Sequence, residues 1–265
     1  MESLELKKFL KDIGDAVHSM NTIAVALSLI PNKDITIPKG LDISWNPKDI
    51  EKSKLMSRNY SERSSYVYAA ESLFEYLDSI SKNPFWNYSE LNFKGEEKKA
   101  IRVYNFLKKI PGITETMAIF CELLSHWRNR IVHSNISNAG LSSKKKEILQ
   151  DSRKEIYDNF HHFDITIALN NFQQKKITLK DASTLITIAI KSARKVDEYY
   201  FSGISTRKIE VLKEYFYKNQ NFQKIMKQNN SVKKNRQIEK WLSVNYPYLT
   251  DEKRGEIIKE LKTSP

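Results

Sequence analysis

The chain has 265 residues, with 44 Lys and Arg against 32 Asp and Glu, a formal net charge of +12 and a pI near 9.4. Hydrophobic residues make up 40% and aromatics 11%, with only 7 Gly and 7 Pro, which excludes a disordered or fibrous chain. At roughly 150 residues per domain this is one large domain or two smaller ones, long enough to bury a core without a disulfide or metal staple. Cys121 is the only cysteine, so an internal disulfide and a Cys-based zinc site are excluded, and the reducing cytoplasm is the expected setting. The longest apolar stretch, residues 23–30, falls far short of the roughly 20 residues that a membrane-spanning helix needs. No small-residue cleavage site follows it, so no secretory leader is expected.

Scarce Gly and Pro, together with apolar residues spaced three or four apart, predict an all-α fold. Residues 3–30 read as a helix or a broken pair of helices, with Gly14 as the weak point, and residues 31–57, holding Pro31, Pro38, Pro47 and Gly40, read as a linker. An amphipathic helix follows, with Val67, Ala70, Leu73, Phe74, Leu77 and Ile80 on one face, ending at Asn83-Pro84. Residues 83–93 form an aromatic-rich loop, and 96–110 a further helix closed by Pro111-Gly112. Thr114 is a good N-cap for a helix running to about residue 133, before a polar stretch at 134–143. Helices are then expected over 144–162 and 178–200, the second opened by the capping pattern of Thr178 and Asp181.

The helix from Thr114 to His133 carries the most information. At 100° per residue, Met117, Phe120, Leu124, Trp127 and Ile131 form a core stripe, while Glu122, Ser125, His126, Asn129 and His133 gather opposite. A polar face of that kind is by default a solvated one. Within it Glu122/His126 and Asn129/His133 are i,i+4 neighbours. Arg128 lies about 140° around an ideal helix from His133, so a straight helix cannot aim both at one phosphate. A twofold partner or a distorted helix end is needed.

The string RNRIVH, with Arg128, Asn129 and His133 at its fixed positions, resembles the motif of the HEPN superfamily. Its place late in a long amphipathic helix, after a helix pair, is similar to that superfamily, as is the closing helix LITIAIKSARKVDEYY. The resemblance covers roughly residues 58–202. It implies an up-and-down bundle of four or five helices that forms a homodimer; outside it, the residues themselves read as an N-terminal helix and linker over 1–57 and a small basic helical region over 203–265. It further implies a metal-independent endoribonuclease, of toxin or phage-defence type, leaving 2′,3′-cyclic phosphate and 5′-hydroxyl ends. In that chemistry the ribose 2′-OH is the nucleophile, a His near neutral pKa moves the proton, and the fixed fork of an Arg stabilises the charge on the phosphorane. Arg128, Asn129 and His133 are then the catalytic residues, and His126, Arg130, Lys144 and Lys145 the expected RNA-binding ones. Some toxins of this superfamily carry a modifiable Tyr two residues after the His. Here that position is Asn135, which speaks against control by such a modification.

No Gly-rich phosphate loop, HExxH or Gly-x-Ser-x-Gly elbow is present, and no cofactor or metal is expected. His161 and His162 read as surface residues, His18 as a core histidine and Cys121 as a buried inert thiol. Residues 205–265 carry 14 Lys and Arg against 7 Asp and Glu, a net of +7, interleaved with Tyr215, Phe216, Tyr217, Phe222, Trp241, Tyr246 and Tyr248. Such a mixture either tracks a nucleic-acid strand or forms a helical subdomain with a solvated basic surface. Two other functions fit the sequence: a non-catalytic RNA- or protein-binding module, and a component of a defence or toxin–antitoxin complex held silent by an inhibitor protein.

Overall fold

The chain is described by a computed structural model that covers all residues except 1, 34, 87, 89, 90, 96, 134–139, 205–208, 264 and 265, and omits the side chains of 204, 209–211, 262 and 263. Among the described residues there are twelve helices and no strand. None of these helices is long and apolar enough to cross a membrane.

Helix α1 (Leu4–Leu29) starts where the Ser3 hydroxyl accepts the Leu6 N–H at 3.0 Å, a side-chain cap on an otherwise unpaired donor. It passes through Gly14 unbroken and buries Leu6, Phe9, Ile13 and Met20, which recur at helical spacing. Helix α2 (Ile50–Lys82) begins seven residues before the expected end of the linker, because Asp49 accepts the Lys52 N–H and caps it. The polar stretch from residue 50 has no apolar periodicity and so reads as linker in the sequence. Its 33 residues span roughly 50 Å.

Asn83 ends α2 and ties four segments together. Its Oδ1 accepts from the Phe85 N–H and the Tyr200 hydroxyl, while Nδ2 donates to Glu5. Tyr200 in turn shares a 2.5 Å hydrogen bond with Tyr248. Phe85, Trp86 and Phe93 of the aromatic loop that follows are therefore interior. Phe85 packs on Phe216, Tyr246 and Tyr248, and Trp86 stacks on Phe106 and Tyr200.

Helix α3 (Lys99–Leu107) leads through a turn at Gly112 (φ +79°) into α4 (Glu115–Val132), capped by Thr114 as expected. Helix α4 is the centre of the fold, packed against α2, α3, α5 and α8, and every residue from Ala118 to Trp127 is buried. The face of Glu122, Ser125 and His126, expected to be solvated, is thus enclosed. The expected helix over 144–162 breaks at Ser152 into α5 (Ser143–Asp151) and α6 (Arg153–Asn159).

His161 and His162 leave helical geometry altogether. Both hold positive φ in an exposed turn, the His162 ring against Tyr157. Helix α7 (Ile165–Gln174) was not expected from the sequence. Asp164 caps it by accepting from Thr166 and Ile167 N–H groups, and the β-branched Ile-Thr-Ile start obscures its helical pattern. Helix α8 (Leu179–Ile204) opens with the Thr178 hydroxyl accepting the Asp181 N–H, and the Asp181 carboxylate turns inward to Asn171.

The remaining helices are α9 (Ile209–Phe216), α10 (Gln220–Met226), α11 (Ser231–Asn245) and α12 (Asp251–Thr263). Phe216, Phe222, Tyr246 and Tyr248 are buried, and Trp241 packs among the first three, so these rings serve a core rather than a base-stacking surface. Only Tyr215 and Tyr217 of the expected aromatic set are exposed. One hydrophobic core runs from Leu6 and Phe9 in α1 to Ile257 and Leu261 in α12. The boundaries expected near 57 and 202 both fall inside helices, α2 and α8.

Candidate active site

The end of α4 decides the geometry. Val132 is its last helical residue, and His133 takes an extended conformation (φ −118°, ψ 91°) while its N–H still bonds to the Asn129 carbonyl at 2.9 Å. Leaving the helix there swings the His133 ring back along the helix toward Arg128. Nη1 of Arg128 donates to Oδ1 of Asn129 at 3.2 Å and lies 3.3 Å from Nε2 of His133. A guanidinium has no acceptor, so this contact requires Nε2 to be the acceptor and the ring proton to sit on Nδ1. The three motif side chains therefore meet within one chain, through a distorted helix end.

Glu71 of α2 completes the cluster. Its Oε1 stands 2.6 Å from Nε of Arg128, an ion pair by distance rather than an aligned hydrogen bond. Its Oε2 lies 3.4 Å from Nζ of Lys99 at the start of α3. The Arg128 side chain is 19% exposed, that of Glu71 39%, and His133 is exposed, so the cluster faces solvent on one side and packing on the other.

The four residues expected to hold RNA are placed differently from one another. His126 is buried, with Nε2 3.4 Å from Glu122. Lys145 is largely buried, paired to the buried Glu122 and seated 3.5 Å over the Tyr104 ring. The Arg130 guanidinium stacks 3.7 Å over Phe172 and donates to its carbonyl, fastening the end of α4 to α7. Only Lys144 is exposed. Asn135 and the rest of 134–139 lie outside the described residues.

Sequence reasoning missed Glu71 and Lys99. Glu71 sits between Ala70 and Ser72 on α2 as any charged helix residue does, and nothing local links it to a motif 57 positions later. Two other expectations have different outcomes. The Cys121 thiol is buried against the Ser192 hydroxyl at 3.5 Å, and burial pushes its pKa up to about 12, so it is inert as expected. His18 is exposed on α1 rather than in the core, because the apolar residues around it lie on both faces of that helix. Among the described residues no three His, Cys, Asp or Glu side chains come together in a metal-binding group.

Comparison with protein-family models, with curated proteins and with solved structures gives no match. The fold is all-α, and its candidate site is an Arg–Asn–His cluster braced by a carboxylate.

Proposed function

We propose that this chain is a metal-independent endoribonuclease of the HEPN type, with Arg128 and His133 as its catalytic groups and Asn129 orienting Arg128. The observation that carries the reading is the 3.3 Å approach of Arg128 Nη1 to His133 Nε2 at an exposed helix end. An unprotonated Nε2 beside a guanidinium is the pairing that 2′-OH attack on an adjacent phosphodiester uses. His133 takes the 2′-OH proton and returns a proton to the leaving 5′-oxygen, and Arg128 stabilises the charge on the phosphorane. The bond formed is O2′–P and the bond broken is P–O5′, so the products are a 2′,3′-cyclic phosphate and a 5′-hydroxyl.

The reading extends to an up-and-down bundle that acts as a homodimer in the cytoplasm, in a toxin or phage-defence role under an inhibitor protein, by analogy of motif. The test is incubation of the purified chain with RNA in excess EDTA. Cleavage that disappears in both Arg128→Ala and His133→Ala, each still folded by circular dichroism, supports the proposal. Cleavage unaltered by either change overturns it, and salt-sensitive binding without cleavage favours a non-catalytic RNA-binding module.

A further inference from the structure

The two oxygens of Glu71 hold two different cations. Oε1 faces Arg128 Nε at 2.6 Å and Oε2 faces Lys99 Nζ at 3.4 Å. One carboxylate balances only one of the two, so the trio keeps an excess positive charge beside the Arg–His pair. Lys99 is half exposed, with its Nζ also 4.9 Å over the Phe74 ring, which leaves the ammonium a fixed place and an open side. Two basic side chains next to the end of α4 are committed elsewhere, Lys145 to Glu122 and Tyr104 and Arg130 to Phe172, while Lys144 is exposed on α5.

We infer that Lys99 is a second phosphate-binding group of this site, taking the phosphodiester next to the one gripped by Arg128, with Glu71 setting the spacing between the two cations. The ligand is a single strand of RNA that passes over α2 from the end of α4 to the start of α3. The inference rests on the ribonuclease reading and names the direction in which its substrate lies. Lys is suited to the role, because a flexible point charge follows a phosphate without demanding a fixed orientation.

The test is steady-state cleavage of a fluorescent single-stranded oligoribonucleotide by the full chain, as wild type, Lys99→Ala, Lys99→Arg and Lys224→Ala. Lys224 is an exposed lysine of α10 that controls for loss of one charge. Lys99→Ala raises KM roughly 5- to 10-fold with kcat within about two-fold, and Lys99→Arg restores most of the loss. With the His133→Ala chain as binding protein, adding Lys99→Ala lowers the slope of log affinity against log salt by about one. A KM and slope for Lys99→Ala no different from those of Lys224→Ala overturn the inference. Wild-type cleavage reports separately on the ribonuclease reading: if cleavage is present and Lys99 has no effect, the anchor alone falls, and if wild type neither binds nor cleaves, both fall.

Discussion

Nη1 of Arg128 lies 3.3 Å from Nε2 of His133, although the two residues would point about 140° apart on a continuous helix. The contact exists because α4 stops at Val132 and His133 turns to extended geometry. Arg128 is shared at once by Glu71 through Nε and by Asn129 and His133 through Nη1, which calls for a planar fork with several fixed donors.

Arg128→Lys keeps the charge but not the fork. A single ammonium cannot reach the carboxylate, the amide and the ring together. RNA cleavage is expected to fall at least about 100-fold while the melting temperature stays within a few degrees of wild type. Cleavage rates and thermal melts measured together check this, and a variant that retains near-wild-type activity counts against the geometry.

Glu71→Gln separates positioning from attraction. The amide no longer pairs with Arg128, so kcat is expected to fall about 10-fold as the guanidinium loosens. If RNA follows the proposed path, KM is expected to fall or stay level, because a negative charge beside it is gone. Glu71→Asp should recover part of kcat. Saturation kinetics of the three proteins decide it, and a KM that rises with unchanged kcat would contradict a positioning role.

The Glu122–Lys145 pair is a buried ion pair joining α4 to α5. Removing one partner strands a charge, so Lys145→Met is expected to cost about 3–5 kcal/mol, seen as a melting temperature lower by roughly 6–20 °C. The double variant Glu122→Gln/Lys145→Met should regain most of that. Calorimetry of the single and double variants gives the answer, and equal losses in both would exclude charge as the cause.

Asp197 of α8 is buried, with only its Oδ2 satisfied, by the Ser3 N–H at 3.1 Å. Burial raises its pKa to about 6, with Glu5 and Glu2 adding to the rise, above the usual carboxylate value of 3.8. An acid whose folded pKa is raised stabilises the fold below its unfolded pKa and loses that contribution as pH climbs through about 6. Relative to Asp197→Asn, the wild type is therefore expected to lose on the order of 2–3 kcal/mol between about pH 4 and 7. Urea unfolding of both proteins across that range would show the difference, and parallel pH curves would refute it.

Gly14 lies inside α1, and a Cβ built there meets nothing within 4 Å. Gly14→Ala is expected to stabilise the chain by about 0.5–1 kcal/mol, since Ala loses less backbone freedom in a helix. A lower melting temperature for this variant would show that α1 is not a continuous helix at that point.

Much of the architecture is legible locally. Thr114 and Thr178 cap the helices they announce, and the apolar stripes of α2, α4 and α8 follow their 3.6-residue period. The failures have equally local causes. Helix α7 hides behind β-branched residues, α2 begins in a polar stretch that only its cap reveals, and α5 and α6 separate at Ser152 without a Gly or Pro to mark the break. The C-terminal aromatics leave two readings open, a stacking surface or a helical subdomain, because composition cannot tell a ring facing bases from one facing Phe85.

The sequence by itself determined the helical class, the caps and the motif residues Arg128, Asn129 and His133, because periodicity and spacing act over a few positions along one element. Only the tertiary structure decided which of the polar residues meet. The face of Glu122 and His126 became interior because α3 and α5 cover it, and Glu71 joined Arg128 because α2 packs beside α4. One unit of the excess positive charge likewise acquires a location that counting could not supply. At the candidate site it is Lys99 and Arg128 on one carboxylate, brought together from three helices, since interactions between residues far apart in the chain are set by packing and leave no local pattern.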